Sequence, residues 1–222
     1  MATREATIET WKNADAVCFD VDSTVCCDEG LDELAKFCGV SEQVKEWTNK
    51  AMGQCHFRES FQSRLDIVCP SFQTMKSFVD GHPVNLSPGL EPLVKKLQAR
   101  GCAVYLVSGG MLEIIAPVAR KLGIPLENVF ANRLKYYFDG EYAGFDKSCP
   151  TSQSGGKPLV IKNLKNKFGY KNVVMIGDGV TDMEASPPAE AFIGYGGNVE
   201  REKVKHNSAW FVTSFKEMID EL

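Results

Sequence analysis

An α/β architecture, with a Rossmann-like doubly wound parallel sheet at its core, is predicted by three features of this 222-residue chain. Short apolar runs alternate with amphipathic stretches of helical period, the pattern of parallel strands covered by helices on both faces. Three of these runs are followed within two residues by Asp or Ser, two of them with glycine close by, which sets polar groups at the carboxyl edge of the sheet. Between Cys26 and Asp80 the alternation stops, and helical periodicity continues without a buried strand.

The first strand is Ala16 to Phe19, and it delivers Asp20 and Asp22. Residues i and i+2 of an extended chain share a face, so both carboxylates can project toward one point as the strand ends. Two anions that close repel unless a cation lies between them or one keeps its proton. A lone acid pair could equally cap a helix, and it is the motifs downstream that favour chemistry. The insert that follows carries three helical stripes: Leu31, Leu34, Ala35 and Cys38; Val44, Trp47 and Met52; Phe57, Phe61, Leu65 and Val68. Placed directly after the first strand, it is expected to act as a cap over the sheet edge.

Leu90, Leu93, Val94 and Leu97 define a helix that stops at Gly101, and Ala103 to Val107 is the second strand, leading into Ser108-Gly109-Gly110. A further helix holds Ile114, Ile115, Val118 and Leu122 and ends at Gly123; Pro117 within it removes a hydrogen bond and predicts a kink. Leu134 to Phe145 reads as a small β-hairpin, with Asp139-Gly140 as a type I′ turn between aromatic strands. Ser154-Gly155-Gly156-Lys157 brings a lysine to the start of a helix carrying Val160, Ile161, Leu164 and Phe168 and closing at Gly169. The third strand, Val173 to Ile176, runs into Gly177-Asp178-Gly179-Val180-Thr181-Asp182, and Ala191 to Ile193 and Trp210 to Val212 are the last two strands. The domain reading is a core of residues 13–25 and 81–222, with a hairpin insertion at about 132–147, and a helical cap over 26–80.

Composition narrows the function classes. A hydrophobic share of 44% with 24% charged residues is that of an ordinary globular protein. The net charge of −4 offers no basic field for nucleic acid or anionic lipid, so any phosphate must be bound by local groups. Residues 1–15 contain no apolar signal core, and no apolar run approaches a membrane span. The eight cysteines include no CxxC pair, and reduced thiols in a cytoplasmic protein are expected. His56, His82 and His206 have neither metal-site nor triad spacing.

Taken in order, Asp20-Val21-Asp22-Ser23-Thr24, Ser108-Gly109-Gly110, the lone Lys157 and Gly177-Asp178-Gly179-Val180-Thr181-Asp182 resemble the motifs of the haloacid-dehalogenase-like phosphohydrolases. More narrowly, the chain from about Asn13 onward resembles their eukaryotic-type phosphoserine phosphatase branch, through Glu29-Gly30-Leu31-Asp32-Glu33-Leu34-Ala35, Ala51-Met52-Gly53, Asn128 to Leu134 and Asp139 to Phe145. The resemblance implies hydrolysis of O-phospho-L-serine to L-serine and phosphate through an aspartyl-phosphate, as the last step of serine biosynthesis, with Mg²⁺ as cofactor. It makes Asp20 the nucleophile and Asp22 the acid–base, and it has Lys157 offset charge on the phosphate and Asp20. It gives the metal to Asp20, Asp178 and the backbone carbonyl of Asp22, with Asp182 in support. The Ser108 hydroxyl and the Gly109 and Gly110 amides would hold phosphate oxygens, with Thr181 beside them. Glu29 would take the substrate ammonium and Arg64 its carboxylate, with Met52, Gly53 and Phe57 as pocket walls. The segment Gln54 to Arg58 is one residue shorter than the family's usual loop, which makes Arg58 a competitor for the carboxylate.

The implied partner is this small-molecule substrate alone, with no nucleic acid and no membrane, and with a homodimer as a possible assembly. Two rival readings stand beside it: the same chemistry on another small phosphomonoester or an alcohol acceptor, and a receiver-type phospho-switch. Against the switch, the second acid of the strand-end pair supplies the turnover acid–base that a switch lacks.

Overall fold

The computed structural model describes residues 3–51 and 56–222, so Met52 and Gly53, expected as pocket walls, lie outside the described residues. Helix α1 (Arg4–Lys12) precedes β1 (Ala16–Phe19), and α2 (Gly30–Phe37), α3 (Ser41–Ala51), α4 (Phe57–Val68) and α5 (Phe72–Gly81) follow it. The chain then forms α6 (Leu90–Ala99), β2 (Ala103–Met111), α7 (Leu112–Lys121), β3 (Val129–Asn132) and the strands β4 (Leu134–Tyr136) and β5 (Tyr142–Phe145). It closes with α8 (Gly156–Phe168), β6 (Val173–Gly177), α9 (Val180–Met183), β7 (Ala191–Tyr195), α10 (Glu202–Asn207), β8 (Trp210–Val212) and α11 (Phe215–Asp220).

Six strands pair in parallel in the order β3-β2-β1-β6-β7-β8. The strands are apolar along their length because both faces are covered. Val17 and Phe19 enter one layer with Trp11, Leu93, Val118 and Phe215, whereas Ala16 and Cys18 enter the other with Val160, Ile161, Leu164 and Val204. Successive strands spread outward from β1 on one side and from β6 on the other, so the crossover direction reverses between them. At such a switch point no loop crosses above the strand ends, and a crevice opens there. Asp20 follows β1 and Asp178 follows β6, one on each side of that crevice.

Four helices, α2 to α5, fill the interval expected to be all-helical, and α5, capped by the Ser71 hydroxyl, adds to the three stripes read from the sequence. Leu31, Leu34, Phe61, Leu65, Met75 and Phe78 form their shared core, which also takes in Leu134 and Phe145 of the hairpin. The chain enters and leaves these helices through two segments that lie side by side. Cys27 N–H donates to the Asn85 carbonyl at 3.0 Å, and Ser87 N–H to the Val25 carbonyl at 2.9 Å.

Two local expectations need correction, and one helix carries an interior proline. The edge strand β3 was not anticipated; it is four residues long and its first two are only half-buried, so its apolar signal is weak, and pairing with β2 creates it. The hairpin turn is not type I′, because Gly140 alone is left-handed, at φ 90°. Asp139 instead keeps ordinary backbone angles and accepts the Glu141 N–H on Oδ1 at 3.1 Å, so the turn spans Tyr137 to Glu141. Finally, α7 continues through Pro117, whose missing amide spares only the Glu113 carbonyl in the first turn. Gly101, Gly123 and Gly169 take the left-handed conformation expected of helix ends.

Candidate active site

The site grows from the ends of β1, β2 and β6. After Asp20 the chain makes a wide turn through Val25, closed by Cys26 N–H donating to the Val21 carbonyl at 2.9 Å. Within it Ser23 is held at φ 56°, an unfavourable left-handed conformation for a residue with a side chain. The surroundings hold it there: its amide bonds the Asp28 carbonyl and its hydroxyl donates to Glu29 Oε1 at 2.8 Å. The turn thus carries Glu29 toward the strand ends. Asp22 is aimed elsewhere, its Oδ1 accepting the Gly30 N–H at 2.8 Å where α2 begins. Burial, then the charges of Asp20 and Glu29, push the Asp22 carboxyl up to about 7, against the Gly30 hydrogen bond and the more distant Lys157.

Lys157 lies in the first turn of α8 and is 8% exposed. Its ammonium is 2.7 Å from Asp20 Oδ1 and 2.5 Å from Asp182 Oδ1. Burial alone would lower its pKa, but the carboxylates of Asp182 and Asp20 outweigh that and keep it charged. Asp182, wholly buried, also accepts the Gly179 N–H at 2.9 Å, and burial with the Asp20 charge raises its pKa to about 7. Its side chain lies over Gly177, where any β-carbon would collide with it. Asp178 accepts from the Thr24 hydroxyl at 3.2 Å and from Arg201 Nε at 2.7 Å.

Carboxylate oxygens of Asp20, Asp178 and Asp182 lie within 4.8 Å of one another, and all three residues are buried. Hard, anionic oxygens on rigid strand ends are the donor set that Mg²⁺ accepts, with phosphate and water completing its shell. Asp182, expected in support, belongs to this group, while the Asp22 side chain stays outside it.

These residues open on a cavity of about 190 Å³ beneath the α2–α5 helices. Asp20, Asp22, Glu29, Phe57, Arg64, Gly109, Gly110, Lys157, Asp178 and Thr181 all line it. Ser108 and Asp182 do not; Ser108 is fully buried behind the wall, its Oγ accepting the Gly110 N–H at 2.8 Å. Between the two candidate arginines the distinction is geometric. Arg64 lines the cavity, and its Nε is buried with no partner among the described residues. Arg58 is turned outward and spends its guanidinium on the 147–153 segment.

Sequence reasoning missed Arg201, which bonds Asp178 and places Nη2 3.5 Å from Glu29 Oε1. It stands far from every motif in a polar loop, and nothing local marks it. Thr151 and Asn132 were also missed. Thr151 Oγ1 donates to Asn132 Oδ1 at 2.9 Å, and Asn132 Nδ2 donates to the Gly109 carbonyl at 2.8 Å, which holds the glycine loop from behind.

A strand-end acid pair, a buried lysine and a carboxylate cluster at a switch point under helices are the parts of a hydrolase. The chain belongs to the haloacid dehalogenase-like hydrolase family, whose model matches residues 14–189. Within it the chain stands with the phosphoserine phosphatases: it is 56% identical to that of Mus musculus over 211 residues, 95% of this chain and 94% of the mouse protein. A phosphoserine phosphohydrolase-like protein from Francisella tularensis superposes with a TM-score of 0.80 at 32% identity, covering 93% of this chain and 98% of that one. The structure of DsGPDH of Dunaliella salina superposes with a TM-score of 0.87 at 35% identity, over all of this chain and 38% of that one.

Proposed function

We propose that the chain is an Mg²⁺-dependent phosphoserine phosphatase, hydrolysing O-phospho-L-serine to L-serine and phosphate in the last step of serine biosynthesis. One observation carries this reading. The cavity has acids and a lysine at its core end, and at its cap end a carboxylate, Glu29, with an arginine donor, Arg64 Nε, that has no partner among the described residues. That polarity matches a molecule with a phosphate at one end and a zwitterionic amino acid at the other.

In this mechanism Asp20 attacks phosphorus in line, forming an aspartyl-phosphate as the serine oxygen departs. Asp22, its carboxyl protonated near neutrality by burial and by Asp20, gives that oxygen its proton. As a carboxylate it then takes a proton from the water that attacks the acyl-phosphate, which releases phosphate and restores Asp20. Lys157 holds Asp20 in its attacking orientation and faces the phosphate oxygens. Gly109 and Gly110 let the phosphate approach the backbone, with Ser108 fixing the Gly110 amide. Mg²⁺, held by Asp20, Asp178 and the Asp22 carbonyl with Asp182 beside them, would supply charge neutralisation at the phosphate. Glu29 receives the ammonium, Arg64 the carboxylate, and Thr181 lies beside the phosphate position.

The test is phosphate release from O-phospho-L-serine with Mg²⁺ and with a chelator, beside a panel of other small phosphomonoesters. Asp20→Asn, nearly isosteric, should keep the fold by circular dichroism and abolish turnover. Sustained turnover by that variant removes the covalent route, and preference for another phosphomonoester reassigns the substrate.

A further inference from the structure

The Arg58 side chain joins the helices above the cavity to the segment between β5 and α8. From the first turn of α4 its Nε donates to the Ser152 carbonyl at 3.2 Å. Its Nη2 donates to the Lys147 carbonyl and the Ser152 hydroxyl, each at 3.2 Å, and to Gln153 Oε1 at 3.0 Å. A guanidinium is suited to such a cluster, because its donors are fixed in one plane and little freedom is lost per bond formed. The receiving segment is part of the cavity wall: Thr151 and Gln153 line it, and the chain continues through Ser154, Gly155 and Gly156 to Lys157.

A second contact comes from the preceding residue. The Phe57 ring lies so close over Gly109 that a β-carbon there would be 2.6 Å from the ring. Gly109 and Ser152 are themselves connected, through Ser152's neighbour Thr151, then Asn132, to the Gly109 carbonyl. Two adjacent side chains of α4 therefore grip both ends of one hydrogen-bonded path beneath the phosphate position. Arg58 touches neither the cavity nor the acids.

We propose that Arg58 is a positioning residue, a latch that holds the α4 end of the cap closed on the 147–153 segment and thereby keeps Gly109 in place for the phosphate. Its release opens the cavity. The kinetic half of the test rests on the phosphatase reading; the exchange half does not.

Hydrogen–deuterium exchange on the substrate-free protein reads the latch directly. Arg58→Ala should speed exchange at the amides of residues 148–153 and at the start of α4 about tenfold, with β1 and β6 unchanged. In steady state the same variant should raise KM for O-phospho-L-serine roughly tenfold and change kcat less than twofold. Arg58→Lys keeps the charge and the aliphatic stem but not the planar fork, and should fall between the two in both readouts. Unchanged exchange and KM in Arg58→Ala overturn the proposal. So does a fall in kcat at constant KM, which would assign the residue to the chemistry or to general integrity. Should the parent fail to hydrolyse O-phospho-L-serine, the substrate assignment falls while the exchange result still decides the latch.

Discussion

At the scale of single residues the site is governed by unequal environments for like groups. Asp20 and Asp22 are two residues apart, yet Asp20 meets the Lys157 ammonium and Asp22 accepts the Gly30 backbone N–H. The Asp22 carboxyl rises from 3.8 to about 7, so the folded state binds its proton more tightly than the unfolded chain does. Its stability contribution is therefore most favourable at low pH and is lost as pH rises through that interval. In chelator, Asp22→Asn should be more stable than the parent at pH 8, by on the order of 4 kcal/mol, and the difference should largely vanish near pH 4. A parent that melts higher at every pH would show that the Asp22 charge is stabilising. Arg64 gives a second prediction. Its Nε has no partner among the described residues, and Arg64→Ala should cost O-phospho-L-serine roughly tenfold to a hundredfold in kcat/KM. Phosphoethanolamine, which lacks that carboxylate, should be affected little; equal losses on both substrates would make the role structural.

Among the elements, α8 shows how tightly a helix start must seat to present a buried lysine to two carboxylates. Gly156, one residue before Lys157, is buried against the turn at Pro150 to Ser152, and a β-carbon on it would be 2.9 Å from Thr151 Cα and closer still to the Pro150 carbonyl. These are backbone atoms and cannot swing aside. Gly156→Ala should destabilise the protein by about 1–3 kcal/mol or more, as overpacking does, and should displace Lys157, so turnover falls further than stability alone explains. Thermal melts read beside kcat separate the two effects. The same element shows what was legible in advance. Its apolar spacing and the glycine before Lys157 could be read directly, but the partner turn that makes glycine obligatory is distant in the fold. The hairpin teaches the converse: Asp139-Gly140 announced a turn, and its type was set by the Asp139 carboxylate and by Phe72 N–H donating to the Gly140 carbonyl at 2.8 Å.

For the molecule as a whole, the ends of the chain close the layer of the sheet that faces away from α8. Trp11 of α1 is 1% exposed, donates Nε1–H to the Met218 carbonyl at 3.1 Å, and meets Trp210 edge-on with ring centroids 6.5 Å apart. Residues before Asn13 carried none of the motif resemblance, yet this one is among the largest fully buried side chains. Trp11→Ala should cost about 3–5 kcal/mol and lower Tm by roughly 10 °C. At a temperature where the variant stays folded, KM should be unchanged, since Trp11 does not line the cavity. A shift in KM would mean that this layer communicates with the strand ends.

The sequence by itself determined the alternation of strands and helices, the helical insert after β1, and the residues that form the acidic cluster and the glycine wall of the cavity. It could do so because periodicity and strand-end motifs are local, and a side chain at the end of a buried strand has little choice of direction. Tertiary structure alone decided the rest. The strand order that sets Asp20 beside Asp178, the recruitment of Arg201, the relay through Thr151 and Asn132, and which of Arg64 and Arg58 lines the cavity all depend on contacts between distant segments. No local pattern encodes such contacts, because the free energy that forms them is gained only when separate surfaces are buried together.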